Sequence, residues 1–169
     1  MMKGKVASFL LFLLMTVMLS ACSGQTKETV PASTASLRKE ALEITEFSFF
    51  HTGMSSEECF QYSVCKTEDG VRLYTEELFS GGLIVDTIVD ETVLEQLGEI
   101  AGEYDIESWD GFDENDKYVM DGSNFELSVV LEDGRTIFAR GSNCFPDGYA
   151  DAEWEIRELF ESLIDRYGK

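Results

Sequence analysis

The sequence predicts an α+β fold, an antiparallel sheet of about five to six strands with two amphipathic helices packed on one face. Runs rich in Phe, Val, Ile and Leu alternate apolar with polar residues, and turns containing Gly and Asp separate them. Two further stretches carry their apolar residues at helical spacing instead. Strands joined by short turns pair antiparallel, and a helix with one apolar stripe must bury it against another layer.

Residues 44–51, with Phe47, Phe49 and Phe50, read as the first strand. In 59–66, Phe60, Tyr62 and Val64 face one way, and Cys59, Gln61, Ser63 and Cys65 the other. The turn Glu68-Asp69-Gly70 leads into 71–78 as a hairpin. After Gly81-Gly82, residues 83–89 form the next strand. Val93, Leu94, Leu97, Ile100, Ala101 and Tyr104 then mark a helix, with Asp90 or Thr92 as its cap and Thr92 with Glu95 as a capping box. Residues 105–122 read as a long irregular stretch. A second hairpin alternates through Phe125, Leu127, Val129 and Leu131, turns at Asp133-Gly134, and returns over 136–140. The final helix carries Ile156, Leu159, Phe160, Leu163, Ile164 and Tyr167 as one stripe.

Ahead of these elements, Lys3 and Lys5 precede an apolar run over residues 6–19. As a helix it would span about 21 Å, short of the ~30 Å hydrocarbon core, so it describes a secretory signal peptide rather than a membrane span. The run ends in Leu19-Ser20-Ala21-Cys22, and these four residues resemble the lipobox of bacterial lipoproteins. The resemblance implies a diacylglyceryl thioether on Cys22, cleavage that removes residues 1–21, and residence on the extracytoplasmic face of the cell membrane. One acyl chain anchors marginally; two or three anchor stably. Residues 22–40 then comprise the lipidated cysteine and a flexible tether, rich in Ser, Thr and Ala, with a reach of roughly 20–25 Å. Residues 41–169 make up a single domain.

The chain has 13 basic and 33 acidic residues, a net charge of −20. Removal of residues 1–21 leaves 11 against 33, or −22. Such acidity excludes nucleic acid as a partner and keeps the domain off an anionic lipid surface. Beyond Cys22, the cysteines are Cys59, Cys65 and Cys144, with no CxxC spacing to suggest zinc. Cys59 and Cys65 lie about 20 Å apart along one strand, whereas a disulfide needs Cα atoms within ~7 Å. Free thiols are the first expectation, and a bridge from either to Cys144 is the alternative.

The single histidine, His51, sits in a strand among phenylalanines and reads as a packed, hydrogen-bonded residue. No G-x-S-x-G elbow occurs, so no catalytic residue and no cofactor is expected. The rival class, an extracellular hydrolase, would need a converging pair of carboxylates. The acids between Asp105 and Asp121 could offer oxygens to calcium, but the glycine and glutamate of an EF-hand loop are missing. A solvated acidic loop without a metal is expected.

Three short motifs flank the second hairpin: Trp109-Asp110-Gly111-Phe112, Asp121-Gly122, and Gly141-Ser142-Asn143-Cys144-Phe145-Pro146. With the hairpin they are similar to an uncharacterised domain of bacterial lipoproteins and secreted proteins, a resemblance that implies no activity. Read as residues, Gly141 leaves the strand with positive φ, Asn143 makes an Asx-turn and Pro146 leads into the final helix. Read as a site, they form a groove walled by Trp109, Phe112 and Phe145, with Asp121 and Asn143 as polar contacts. Trp109 itself reads as a core or lid residue. The function expected is a lipid-anchored interaction or ligand-binding module for an unknown protein or small ligand.

Overall fold

The computed structural model describes residues 40–79, 82–119 and 121–168, which belong to one compact unit, Leu37–Lys169. The expected signal peptide, Cys22 and the expected tether up to residue 39 lie outside the described residues. Among those described, no helix is long and apolar enough to cross a membrane.

The fold is α+β. Strands β1 (Ile44–Thr52), β2 (Phe60–Thr67), β3 (Gly70–Glu77) and β4 (Gly82–Val89) run as an antiparallel meander. Helix α1 (Thr92–Glu103) follows, then a 3-10 turn at Ile106–Trp109 and the short β5 (Asp113–Asn115). Strands β6 (Asn124–Leu131) and β7 (Thr136–Ser142) form the second hairpin, and α2 (Tyr149–Tyr167) ends the fold. The sheet order is β4-β3-β2-β1-β6-β7-β5, so β1 joins the meander to the second hairpin.

The sheet has seven strands, not five to six. The additional one is β5, which lies in the stretch the sequence presents as irregular and pairs parallel with β7. Its acids hold it there. The Arg140 guanidinium donates to both oxygens of Asp113 at 2.9 and 2.8 Å, and the Phe138 N–H donates to Asp110 Oδ1 at 3.0 Å. Arg135 likewise bridges Asp133 and Glu107. The acidic loop is solvated, with Asp110, Asp113 and Glu114 exposed, and is also anchored to β7.

Burial alternates along the strands as period two requires. Phe47 and Phe49 of β1, Phe60, Tyr62 and Val64 of β2, Val71 and Leu73 of β3, and Leu127 and Val129 of β6 are all buried. They share one core with Val93, Leu94, Leu97 and Ala101 of α1 and Ala152, Ile156, Phe160 and Leu163 of α2. Rings stack through its centre, Tyr62 on Phe160 at 4.3 Å and on Phe60 at 4.4 Å. Each such ring contributes roughly 1.5–3 kcal/mol by leaving water.

Two local readings are corrected. Helix α1 begins at Thr92, so Thr92 cannot cap it; Asp90 Oδ1 instead accepts the Thr92 N–H at 2.9 Å. That bond holds the Asp90 carboxyl below the usual carboxylate range. Cys59 lies just ahead of β2 rather than within it. It is buried, and its thiol donates to the Ser55 carbonyl at 3.2 Å. Cys59, Cys65 and Cys144 are all free.

Candidate functional site

Four of the five residues of the expected groove, Trp109, Phe112, Asn143 and Phe145, take part in closing one end of the second hairpin, chiefly as packing. Trp109 is 3% exposed; its indole N–H donates to the Asp147 carbonyl at 3.1 Å and its ring lies 5.9 Å from that of Tyr149. Phe112 packs against Phe125, and Phe145, 40% exposed, lies against both Phe125 and Tyr149. Asn143 Oδ1 accepts the Ser123 N–H at 3.0 Å while its own N–H donates to the Ser123 carbonyl at 2.9 Å. Asp121 is exposed. Asn143, not Gly141, adopts the left-handed conformation, with φ of 54°. Gly141 is needed because a Cβ there would overlap the Cys144 carbonyl and the Phe125 ring; a Cβ on Gly122 would overlap the Asn143 side chain. The motif thus closes the end of the second hairpin.

A second cluster was not visible in the sequence. His51, 9% exposed, places Nδ1 3.1 Å from the Tyr149 hydroxyl and 3.9 Å from Glu153 Oε1. Burial lowers the His51 pKa, the Arg157 charge lowers it further, and Glu58 opposes both. Burial and the Glu153 charge push the Tyr149 phenol far up, while burial raises Glu153 against the opposing pull of Arg157, 3.5 Å away. At neutral pH His51 and Tyr149 thus share an uncharged hydrogen bond. A phenol so hard to ionise is a poor nucleophile, and the nearby Cys59 thiol is committed to backbone carbonyls. The pair pins β1 to the first turn of α2.

The surface best suited to a ligand is made by the strand positions that alternate with the core. Register places Asp86, Tyr74, Ser63, Ser48, Ser128 and Phe138 in one row across six strands. A parallel row runs through Glu76, Gln61, Phe50, Glu126 and Arg140 to Asp113. The three serines are only partly buried, although they lie at the centre of the sheet. Beside them is a furrow of about 360 Å³, walled by Phe50, Asn124, Glu126, Arg140 and Ser142 with β5 along its side. None of the five groove residues lines it. Alternating polar positions marked these residues in the sequence, but their alignment across strands is a matter of register.

A larger cavity of about 570 Å³ lies between Leu42, Gly102, Asp105 and the β6–β7 turn, and half of its lining residues are acidic. Among the described residues no group of three or more His, Cys, Asp or Glu is placed to hold a metal ion. No protein-family pattern matches the chain, and comparison with curated proteins finds no significant match.

Proposed function

We propose that this chain is a lipid-anchored extracytoplasmic binding module. Cys22 carries the lipid, residues 22–40 include the tether, and the domain offers one face of its sheet to a protein or small ligand. In this reading both helices cover the face that bears Phe47, Tyr62 and Leu73, and the opposite face is left for the partner. The Leu19-Ser20-Ala21-Cys22 motif supports the anchor.

The observation that carries the binding role is the serine row. Three short hydroxyl side chains side by side let a ligand approach the sheet closely and offer it donors and acceptors. Tyr74 and Phe138 at the row's ends and Phe50 beside it add apolar contact. Six long strands at ~4.8 Å spacing expose about 700 Å² on such a face, close to the ~800 Å² per partner of a standard interface.

Intact mass of the protein from its own host tests the anchor. Acylated Cys22 and loss of residues 1–21 are expected, and Cys22→Ala should leave the protein unprocessed or released. Mature, membrane-held protein without acyl groups on Cys22 would overturn it. For the face, Ser48→Trp and Ser128→Trp fill the row. Both should keep their circular dichroism and lose at least ~90% of partner capture from envelope extracts, about 1.4 kcal/mol. Folded variants that capture as well as the parent chain would remove the face from consideration.

A further inference from the structure

The two ends of the sheet are built differently, and one of them, β4, has no strand beyond it among the described residues. Natural sheets protect a terminal strand by shortening it or by placing Lys, Pro or a bulge along it, because its unpaired N–H and C=O groups template pairing with another chain. Strand β4 is terminal, eight residues long, and reads Gly82-Leu83-Ile84-Val85-Asp86-Thr87-Ile88-Val89, with neither Lys nor Pro; its register against β3 shifts at Ile84, so only residues 85–89 form a regular edge. One flank pairs with β3, without interruption from Val85 to Val89; among the described residues no strand pairs with the other. Val85 and Val89 are buried at 4% and 7%, which fixes the strand on the core, while Ile88 is 46% exposed.

We propose that β4 pairs antiparallel with β4 of a second copy of this chain. Two identical strands related by a two-fold axis are complementary to each other without further adjustment. Charge singles out this place for self-pairing. The chain carries −20 and resists its own approach, yet residues 82–89 hold one charge, Asp86, which Arg72 already grips at 2.7 and 2.6 Å. A register centred on Thr87 sets Val85 opposite Val89 of the second copy, extending the apolar side of each sheet across the axis. The same register sets Asp86 opposite Ile88 of the second copy and covers that exposed side chain. That register overlaps residues 85–89 of each copy, a strip about 16 Å long and ~10 Å thick that buries roughly 330 Å² over both copies, well below the ~1,000 Å² of a stable interface, so the dimer is weak.

Sedimentation of the full chain in excess detergent, from about 1 μM to about 1 mM, tests this. The mass should rise toward that of a dimer, and every second amide of β4 should gain protection from hydrogen exchange as it does. Thr87→Lys and Ile88→Lys place a charge on the edge and should each weaken association at least tenfold with unchanged circular dichroism. A chain monomeric throughout overturns the proposal. So does association that leaves the β4 amides unprotected, or that survives in both lysine variants. Protection of β4 only on adding an unrelated extended apolar peptide would also overturn it, assigning the edge to another partner. Should one lysine variant misfold, exchange on the parent chain decides alone.

Discussion

Strand β5 ends the sheet with three exposed residues, Asp113, Glu114 and Asn115, while β4 ends it with eight residues whose sequence is mostly apolar. The β5 end is also braced. Arg140 clamps Asp113, Asp110 accepts from the backbone of β7, and the Trp109 indole fastens the preceding turn to the start of α2. At β4 the ion pair of Arg72 with Asp86 ties the strand inward, and among the described residues no strand covers its outer flank. The difference teaches that charge placed on a short strand can finish a sheet, whereas at β4 the sheet's own charge is turned inward to β3.

The most severe way to break the contrast is to unfasten the closed end. Trp109→Ala removes a buried ring and leaves a void, which should cost about 3–5 kcal/mol. Denaturant unfolding should show that loss, enough to unfold many single domains. A folded variant with unchanged stability would show that the indole is not part of the brace. Gly141→Ala strikes β7 beside β5, where the new methyl meets the Cys144 carbonyl and the Phe125 ring. It should destabilise by roughly 1–3 kcal/mol, read from the same titration.

Near the open end the opposite sign is expected. Thr75 is fully buried in β3, paired in register with Val85 of β4, and its hydroxyl has no hydrogen-bond partner. Thr75→Val keeps the shape and removes the orphaned group, so it should stabilise by about 1 kcal/mol. A lower melting midpoint would mean that the hydroxyl has a partner in solution.

The smallest effect is a pH dependence at the middle of the sheet. The folded pKa of His51 is depressed, so the unfolded chain binds its proton more readily and stability falls as pH drops below about 6.5. Glu153 acts oppositely, because its raised folded pKa adds stability as pH falls through that value toward 4.5. Glu58 and Arg157 face the same imidazole. His51→Gln should flatten the decline between pH 7 and 5.5, followed by thermal melts. An equal slope in the variant would place the dependence elsewhere.

Six of the strands and both helices were legible because each is long enough to repeat its own period. Phe60-Gln61-Tyr62-Ser63-Val64 states a strand within five residues, and Ile156-Leu159-Phe160-Leu163 states a helix. Strand β5 was not legible. Asp-Glu-Asn has no preference for extended structure, and its partner β7 lies beyond an entire strand. The His51–Tyr149 contact was hidden for a similar reason: 98 residues separate its members, and neither residue signals the other. The glycine of Gly-x-Asn was read for its freedom at positive φ. In the structure Asn143 takes that conformation, and Gly141 is required by the space around it. Motif grammar shows where a chain turns more readily than which atoms then collide.

The position of β1 also governs how the chain can assemble. Its partners on one side belong to the meander, with Ser48 opposite Ser63, and on the other to the late hairpin, with Ser48 opposite Ser128. The four-strand meander closes through short loops, and so does the β6–β7 hairpin. Joining them requires closing a loop of about 80 residues, whose entropy must be overcome before the seam rewards it. The β1–β6 seam should therefore form last, as two locally ordered halves dock, and stopped-flow refolding should place mutations along it among those that speed unfolding while barely changing the early folding rate.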